Sequence, residues 1–528
     1  MNSLLFSCQL LLISLFILSS DSASDEFNLH FPKPIRGVTP DDIKTMYAPL
    51  SDDYEILYYN QTVDHFNYRP LSYTSFKQKY VINSKHWGGS PAPVFVYFGA
   101  EARLTNGTVT YGFIADHAIH FKALQVYIEH RYYGESVPFG SIEEVMNNPE
   151  ARGYFNSAQA LADYAEIILQ VRNDYGAHKS PVIVVGGSYG GMLASWFRLK
   201  YPHMALGALA SSAPVLYFDD LVPHDGYYTF VTKEYRDVSE SCYETIRDSW
   251  SEINKVADEE NGLWKLHEKF HTCSELKASW ELKNYLDSMY FTTAQYNSPP
   301  AKQDEDYPVT KLCRAIDGAP IGSDTLDRIF ASVVAYVGQK DCYINEPNNF
   351  NTSLLSVPLS GWGWQKCSEM VMPMYRSNAT MFEPERPFNL TVFIKNCNAT
   401  YGVLPRPNWV PLYYGLYDMK LVLKNFGSNI IFSNGLKDPY SIGGVLESIS
   451  DSILAIHTAN GSHCLDIEGK KESDPEWLVK QRETIVKIIE AWIAKYYQDV
   501  AVEAFTKHDY GKKIALKAQK TSHGGIAQ

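Results

Sequence analysis

The chain has 528 residues, with 47 basic and 60 acidic side chains and a formal net charge of −13 at pH 7. This acidic balance argues against nucleic acids and anionic membranes as partners, because both are themselves negatively charged. Hydrophobic residues make up 45% and charged residues 20% of the chain, as in globular proteins that build a large core. The length predicts two domains, or one large domain that carries an insertion.

The amino terminus has the pattern of a targeting segment. An apolar run over residues 4–18 has the length of a signal peptide, and small and polar residues follow it. We therefore expect residues 1–23 to be a signal peptide cleaved near Ala23, with a signal anchor as the alternative. No later stretch reaches 18 consecutive apolar residues, so no membrane contact is expected after cleavage.

Glycosylation sequons agree with entry into the secretory pathway. Seven asparagines begin an N-x-S/T sequence without proline, namely Asn60, Asn106, Asn351, Asn378, Asn389, Asn398 and Asn460. Each match is weak alone, but seven of them behind a signal peptide are consistent with a secreted, vacuolar or lysosomal glycoprotein.

The cysteines are unevenly distributed along the chain. Seven remain after the signal peptide leaves, and six of these lie between Cys242 and Cys397. Such clustering indicates one region that is stabilised by disulfides, and the odd number leaves one thiol free. The chain contains neither a C-x-x-C pair nor an H-E-x-x-H sequence, so we expect no metal and no cofactor.

Residues 50–215 alternate apolar strands with helical patterns. Continuous apolar runs at residues 94–98, 124–128 and 182–185 predict buried strands, and the periodicity of residues 157–171 predicts a helix. Buried strands separated by helices are typical of a parallel sheet covered on both faces. The same alternation returns in residues 411–500, with strands predicted at 429–432 and 453–456.

Residues 216–410 have a different character. Long charged helical patterns cover residues 244–270 and 276–289, and most of the cysteines lie in this part of the chain. We therefore predict a mainly helical insertion (cap) domain, stapled by disulfides, within an α/β core made of residues 50–215 and 411–500. A final amphipathic helix is predicted after Ser473, and residues 505–528 are predicted to be a disordered tail.

Ser188 is the strongest chemical signal in the chain. It lies in a G-x-S-x-G sequence, directly after the strand at residues 182–185 and directly before a helical pattern that starts at Met192. Strand, sharp turn and helix in this order describe a nucleophile elbow, in which the glycines allow a strained turn that exposes the serine hydroxyl.

A serine nucleophile needs a base, and the base needs an acid that orients it. Asp438 follows the predicted strand at 429–432, and His463 follows the one at 453–456, which is the order Ser, acid, His expected of a doubly wound hydrolase. The alternatives are an Asp-Pro turn for Asp438 and an ordinary surface or core histidine for His463. His130 also follows a strand, but it precedes Ser188, which favours a role in a buried hydrogen-bond network.

The oxyanion of an acyl-transfer reaction requires backbone N–H donors. We expect one from Tyr189, directly after the nucleophile, and another from the loop after residues 94–98, at Gly99 or Ala100. Glu101 follows in the same loop, where its carboxylate is suited either to binding a substrate amino group or to capping a turn.

Four motifs resemble one peptidase family. They are Gly187-Ser188-Tyr189-Gly190-Gly191-Met192, the sequence EHRYYGES at 129–136, Ala160-Leu161-Ala162-Asp163, and Ser433-Asn434-Gly435-x-x-Asp438-Pro439. In this order they resemble the family of serine peptidases that includes lysosomal Pro-X carboxypeptidase and dipeptidyl peptidase II. The resemblance implies an α/β-hydrolase fold with a large helical insertion, and it carries Ser188 as nucleophile, Asp438 as acid and His463 as base.

The resemblance also implies the disulfide pairing. Its pairs are Cys242–Cys313, Cys273–Cys342 and Cys367–Cys397, which would leave Cys464 as the free thiol; spacing alone does not choose among the pairings. The chain departs from the family at two positions. Cys464 stands where the family usually has the second histidine of a His-His-Leu-Asp sequence, and Glu468 stands where a basic residue is common. Cys464 is interpreted as an inert buried thiol, with an oxidation-sensitive switch as the alternative.

A pocket for proline should be compact and apolar, because the proline ring has no backbone N–H. Candidate lining residues are Glu101 at the mouth together with Met192, Met370, Met372 and Tyr440, and the tryptophans Trp362 and Trp364 lie in the same stretch of the insertion. For any one of the apolar residues, core packing is the simpler interpretation.

The leading hypothesis is a serine exopeptidase that hydrolyses peptides after a penultimate proline, most simply a Pro-X carboxypeptidase. A dipeptidyl aminopeptidase of the same family is the alternative, because both activities use the same triad. An esterase or lipase of the same fold and a non-catalytic binding glycoprotein are further alternatives. The sequence leaves open whether the chain forms a homodimer.

Overall fold

The computed structural model describes the backbone of residues 50–522, except residues 111, 301, 303–304 and 345–352. Side chains are described over the same range, apart from those of Leu71, residues 353–360 and residues 503–522. The predicted signal peptide, the sequon at Asn351 and residues 523–528 therefore lie outside the described residues. Within the described part of the chain, no helix is long and apolar enough to cross a membrane.

A mixed sheet of eight strands lies at the centre of the fold. In chain order the strands are β1 (Glu55–Thr62), β2 (Ser75–Asn83), β3 (Val94–Phe98), β4 (Leu124–Ile128), β5 (Val182–Gly187), β6 (Gly207–Ser211), β7 (Ile430–Gly435) and β8 (Ile453–Thr458). Their order across the sheet is β1-β2-β4-β3-β5-β6-β7-β8. β2 pairs antiparallel with both β1 and β4, whereas the strands from β3 to β8 run parallel. The predicted α/β-hydrolase fold is confirmed.

The strands differ in burial, and β1, β2 and the buried strand β6 were not among those predicted. Every residue of β4 and of β6 is buried, as expected for parallel strands covered on both faces. β1 instead mixes exposed and partly buried residues, which is typical of an antiparallel strand at a sheet edge. The prediction of a parallel sheet is therefore incomplete, because β1 and β2 pair antiparallel and were not predicted. β1 is largely exposed or partly buried, and the first half of β2 is mostly polar.

Seventeen helices are described in this part of the chain. They are α1 (Asn106–Thr110), α2 (Phe113–Phe121), α3 (Ile142–Met146), α4 (Pro149–Arg152), α5 (Ser157–Asp174), α6 (Tyr189–Lys200), α7 (Gly226–Val238), α8 (Glu240–Ala257), α9 (Gly262–Phe270), α10 (Ser279–Gln295), α11 (Pro308–Asp317), α12 (Thr325–Val337), α13 (Ser353–Ser368), α14 (Leu390–Tyr401), α15 (Trp409–Tyr414), α16 (Met419–Phe426) and α17 (Glu476–Ser522). Short 3-10 turns occur at Pro70–Tyr73, Leu416–Asp418, Pro439–Gly443 and Leu465–Ile467.

The two faces of the sheet carry separate apolar cores. Val184 of β5 belongs to the larger core, which includes buried residues of α5 and α6. Its neighbours Ile183 and Val185 belong to the other core, together with buried residues of α2 and α17. Successive side chains of a strand point to opposite faces, so β5 contributes to both cores.

The chain between β6 and β7 is mainly helical and comprises α7 to α16. It contains the same three disulfides that the resemblance implied, Cys242–Cys313, Cys273–Cys342 and Cys367–Cys397. Cys464 is a free cysteine.

Two predicted boundaries were wrong. The single helical pattern at residues 244–270 is divided into α8 and α9, and Asn261 between them adopts a left-handed conformation with φ of 57°. The disordered tail predicted from residue 505 is instead helical as far as Ser522, where α17 ends. The lysines, alanines and glutamine of this segment are good helix formers and allow α17 to continue.

A buried ion pair holds the loop after β4. The guanidinium of Arg131 donates to both carboxylate oxygens of Asp163, at 2.7 and 2.6 Å, and both side chains are fully buried. The same guanidinium donates to the carbonyls of Thr62, Val63 and Tyr154. This network joins the loop to the edge strand and to α5, and it accords with the buried hydrogen bonding predicted for the 129–136 motif.

We expect Asp163→Ala to lower the free energy of unfolding by about 3–5 kcal/mol, because it leaves the buried guanidinium without its carboxylate. Urea unfolding followed by tryptophan fluorescence measures this change. The matched control is Glu447→Ala, which removes the ion pair between Lys420 and Glu447 on the surface. Its expected effect is below about 1 kcal/mol, since exposed pairs contribute little. Equal effects of the two substitutions would contradict a stabilising role for the buried pair.

Candidate active site

Ser188 occupies a strained turn between β5 and α6. Its φ of 56° and ψ of −125° are unusual for a residue with a side chain. The backbone is held there by a hydrogen bond from the Ser188 N–H to the carbonyl of Ser211 at 2.9 Å. A Cβ on Gly186 would lie 2.1 Å from the carbonyl oxygen of Gly190, so only glycine fits this side of the turn. The geometry is that of the predicted nucleophile elbow.

Asp438 and His463 form a buried pair. The His463 Nδ1 lies 2.6 Å from Asp438 Oδ2, and the side chains are 3% and 0% exposed. The other carboxylate oxygen of Asp438 accepts from the Tyr440 N–H at 2.9 Å, which fixes the carboxylate in orientation. Burial alone would lower the pKa of His463, but the carboxylate of Asp438 chiefly counteracts it and raises that pKa well above its usual range. The imidazole is thereby made a stronger base.

The loops that carry these residues contact one another. The Lys437 N–H donates to the Gly461 carbonyl at 2.8 Å, which ties the acid loop to the histidine loop. The Cys464 N–H donates to Ser212 Oγ at 2.9 Å. A Cβ on Gly187 would lie 2.9 Å from Cys464 Sγ, so the residue after His463 contacts the residue before Ser188. The three predicted residues are therefore gathered at the carboxyl ends of β5, β7 and β8, as the sequence predicted; their catalytic roles stay a prediction.

The insertion contacts His463 through residues that the sequence did not reveal. The backbone N–H of His463 donates to the carbonyl of Gln295, at the end of α10, over 3.0 Å. The next residue, Tyr296, places its ring centre 5.7 Å from the imidazole, and the Tyr440 ring lies at 5.5 Å. No local signal marks Gln295 or Tyr296, because the end of a helix followed by a loop is a common pattern.

The predicted oxyanion donors need one correction. The Gly99 N–H donates to the carbonyl of Ile128 at 2.8 Å and is therefore not free to point at a substrate. The N–H of Tyr189 is at the first position of α6, where a helix leaves its donors without partners. A Cβ on Gly190 would lie 3.4 Å from the Ala100 Cβ, so the loop after β3 packs against the start of α6. Tyr189 and Ala100 remain as the candidate donors.

His130 does not occupy the position of a base. Its Nδ1 lies 2.5 Å from the carbonyl oxygen of Arg131, and its Nε2 lies 3.1 Å from the hydroxyl of Tyr189. Burial lowers the pKa of His130 to about 4. Both ring nitrogens are thus engaged within a buried network, in agreement with the structural role favoured from the sequence.

The candidate pocket residues fall into two groups. Met192, Met370 and Met372 are buried in the larger core, and Tyr440 lies beside the imidazole. The Trp362 ring is 5.3 Å from the Tyr189 ring, which brings the insertion close to the elbow. Trp364 instead packs over the guanidinium of Arg152, 4.8 Å from its ring centre, and belongs to a different apolar cluster.

Glu101 is a buried carboxyl close to the same site. Its Oε2 has no hydrogen-bond partner among the described residues. Burial chiefly raises the pKa of Glu101, and the charge of His463 partly counteracts that shift. The pKa values of Tyr296 and Tyr440 are raised chiefly by burial, and the charge of Glu101 adds to both shifts. The carboxyl therefore has unused capacity to bind a polar group.

Cys464 behaves as a protonated thiol. Burial raises the pKa of Cys464 above its usual range, although the neighbouring His463 lowers it in part. A protonated thiol is a weak nucleophile, which favours the inert interpretation. Within the described residues no group of three or more His, Cys, Asp or Glu side chains is arranged to hold a metal.

Comparison with known proteins identifies the family. The family model for serine carboxypeptidase S28 matches residues 61–485. The chain is 37% identical over 485 residues to lysosomal Pro-X carboxypeptidase of Mus musculus. The aligned region covers 87% of this chain and 96% of the relative. The proteins of the same name from Pongo abelii and Homo sapiens are 36% and 35% identical, each over 86% of this chain and 91% of the relative.

The eight-stranded sheet, the elbow at Ser188 and the buried pair of Asp438 and His463 define a serine hydrolase of the α/β-hydrolase fold. With matches over most of its length, the chain belongs to the serine carboxypeptidase S28 family. It is a serine-type peptidase whose substrates are peptides, and the resemblance predicted from the motifs is confirmed.

Glu369 is a second buried carboxyl, and its protonation affects the stability of the fold. Glu369 accepts from the Ser157 N–H at 2.7 Å and from the Ser157 hydroxyl at 3.0 Å, and it is 4% exposed. Burial raises the pKa of Glu369 to about 7, and the bonds from Ser157 partly counteract that shift. The folded state therefore retains a proton on Glu369 between pH 4.5 and 7 that the unfolded chain releases.

We expect Glu369→Gln to flatten the pH dependence of stability. In the wild type, the raised pKa makes the folded state lose stability as pH rises from about 4.5 to 7, and glutamine removes this loss. Relative to wild type, the variant should gain about 2–3 kcal/mol over this range, at about 1.4 kcal/mol per pKa unit. Unfolding midpoints measured at several pH values report the effect. A difference that does not change with pH would contradict the assigned pKa, and Glu447→Gln is the exposed control.

Proposed function

We propose that the chain is a Pro-X carboxypeptidase, which removes the carboxyl-terminal residue from peptides that have a penultimate proline. The observation that carries the proposal is the His463 Nδ1 hydrogen bond to buried Asp438, at the same sheet edge as the strained Ser188 turn. The similarity to proteins named lysosomal Pro-X carboxypeptidase supports the specificity and a lysosomal or vacuolar destination.

The proposed reaction proceeds through an acyl-enzyme. Ser188 Oγ attacks the carbonyl carbon of the proline while His463 Nε2 accepts the hydroxyl proton, and Asp438 stabilises the resulting imidazolium. The N–H groups of Tyr189 and Ala100 bind the oxyanion. The imidazolium then protonates the leaving amine. In the second half of the reaction, His463 removes a proton from water, the water attacks the ester carbonyl, and the proton passes to Ser188 Oγ as the acyl group leaves.

Substrate binding would involve both parts of the chain. We assign the proline pocket to the region between the elbow and the insertion, with Met192, Met370, Met372 and Tyr440 as candidate lining residues. The helices α7 to α14, within the predicted cap at residues 216–410, would close one end of the cleft, which suits exopeptidase action. The contacts of Gln295 and Tyr296 with His463 support this assignment, because they join the insertion to the histidine loop.

Replacing Ser188 by alanine is expected to lower kcat by several orders of magnitude, since the nucleophile is lost while the fold is retained. Release of phenylalanine from an amino-blocked peptide ending in Pro-Phe measures the rate. The matched control is Ser195→Ala in the same helix, whose hydroxyl donates only to the carbonyl of Met192. Labelling by a fluorophosphonate should disappear in Ser188→Ala and persist in Ser195→Ala. Full activity of the Ser188 variant would refute the proposed nucleophile.

A dipeptidyl aminopeptidase is the second candidate, and the unpartnered Oε2 of Glu101 favours it, because a substrate ammonium would donate a hydrogen bond to that oxygen. Two substrates separate the candidates. One is an amino-blocked peptide with a free carboxyl terminus, and the other is a dipeptide with a free amino terminus and an amide-linked reporter after proline. We expect cleavage of the first substrate and little cleavage of the second.

Selective cleavage of the second substrate would instead establish the aminopeptidase. Glu101→Gln should then raise KM for that substrate at least tenfold, because a neutral amide replaces a charge-assisted hydrogen bond to the ammonium. The same variant should change KM for the amino-blocked substrate by less than about threefold, since that substrate has no ammonium.

A further inference from the structure

Tyr189 is held by its side chain as well as by its backbone. Its hydroxyl lies 3.1 Å from His130 Nε2 and 2.9 Å from Gln365 Nε2, and the residue is 1% exposed. The ring packs against Trp362. Gln365 and Trp362 both lie on α13 of the insertion, whereas Tyr189 is the residue that follows the candidate nucleophile.

The hydrogen bonds of this cluster have only one consistent direction. His130 Nδ1 lies 2.5 Å from a carbonyl oxygen and must donate to it, so Nε2 of the neutral ring is an acceptor. The Tyr189 hydroxyl therefore donates to Nε2 of His130 and must accept from the amide NH₂ of Gln365. The Gln365 carbonyl oxygen in turn accepts from the Tyr133 hydroxyl at 2.7 Å. The reversed amide would leave Nε2 of His130 without a donor.

The arrangement is insensitive to mild acid, because the pKa of His130 is lowered by burial to about 4 and the ring stays neutral above that pH. It also accounts for two residues of the 129–136 motif that the triad does not use. His130 accepts from Tyr189, and Tyr133 donates to the glutamine that holds Tyr189. The motif and the insertion therefore both form hydrogen bonds in the network around the Tyr189 hydroxyl.

The segment that carries Gln365 is held by a disulfide and by hydrogen bonds. Cys367, two residues later in α13, is bridged to Cys397, and Glu369 accepts two hydrogen bonds from Ser157 at the start of α5. Gln365 is fully buried. A fixed amide can therefore restrain the Tyr189 side chain, and through it the peptide N–H at the start of α6.

We propose that Gln365 is a positioning residue for the oxyanion hole: its bond to the Tyr189 hydroxyl holds the Tyr189 backbone N–H in the direction needed by the tetrahedral intermediate. The proposal rests on the proposed serine peptidase mechanism and adds to it a function for the insertion beyond covering the cleft. Because an oxyanion donor acts in the transition state and much less on bound substrate, misalignment should lower kcat more than it changes KM.

The first test compares Gln365→Met, which keeps the length of the side chain but removes its hydrogen bonds to Tyr189, Tyr133 and Glu369, with Tyr189→Phe, which removes only the hydroxyl shared with Gln365. Each should lower kcat about 10- to 100-fold and change KM less than about threefold, and the double variant should be no worse than the poorer single variant. The matched control is Gln159→Met, another buried glutamine, which bonds Asp64 and should retain kcat. Folding of each variant is checked by its unfolding midpoint.

A second test uses the direction of the hydrogen bond. In Gln365→Glu the protonated acid can donate to the Tyr189 hydroxyl, whereas the carboxylate cannot. The ratio of its kcat to that of wild type should therefore fall at least tenfold as pH rises through the pKa of the new acid. The titratable groups around this position are His130, Tyr133, Tyr164, Tyr189, Glu101 and Glu369, all of which the wild type shares. Glu369 also shares a side-chain hydrogen bond with Gln365, so its titration would be coupled to that of the new acid. The ratio is therefore measured in a Glu369→Gln background, which removes this coupling.

The outcomes separate this inference from the proposed function. If folded Gln365→Met and Tyr189→Phe keep the wild-type kcat, or if the Gln365→Glu ratio is flat with pH, the positioning role is wrong while the peptidase assignment stands. If wild type cleaves no proline peptide and takes up no fluorophosphonate, the proposed function itself fails. Should Gln365→Met not fold, Tyr189→Phe and the pH ratio of Gln365→Glu decide the question.

Discussion

The strained turn at Ser188 is the constraint on which the site depends. A left-handed conformation at a residue with a side chain costs about 1–3 kcal/mol and persists only where the surroundings enforce it. Here β5 lies between β3 and β6 and pairs with both, and the carbonyl of Ser211 on β6 accepts the Ser188 N–H. The buried parallel sheet therefore stabilises the strained turn that places Ser188 at the carboxyl end of β5.

Much of this arrangement was predictable from the sequence, because it rests on local patterns. The apolar runs at β3, β4 and β5 identify buried strands, and the G-x-S-x-G sequence between a strand and a helix identifies the elbow. Asp438 and His463 were found by their order and their positions at strand ends, since the carboxyl ends of parallel strands share one sheet edge. The resemblance then implied the disulfides that spacing alone could not choose.

The remaining features depend on contacts between distant segments. Gln295 and Gln365 belong to the insertion, and nothing in their local sequence indicates that one carbonyl supports His463 and the other side chain binds Tyr189. The Gly99 N–H was mistaken for a free donor because its use by Ile128 follows from strand pairing and not from composition. β1 and β2 were missed because polar residues occupy much of both strands, and β6 because its small residues, Gly207–Ser211, form no strong apolar run. The extension of the final helix was missed because charged helices carry weak periodic signals.

The close contact between the acid loop and the histidine loop restricts how this protein can change. A Cβ on Gly435 would lie 2.2 Å from the carbonyl carbon of Gly461, and the Lys437 N–H is bonded to the same peptide group. The two loops can therefore shift only together, so the acid and the base keep their separation even when neighbouring surfaces diverge. Under the proposed function, substrate preference can then evolve through the insertion while Asp438 and His463 are inherited as one unit.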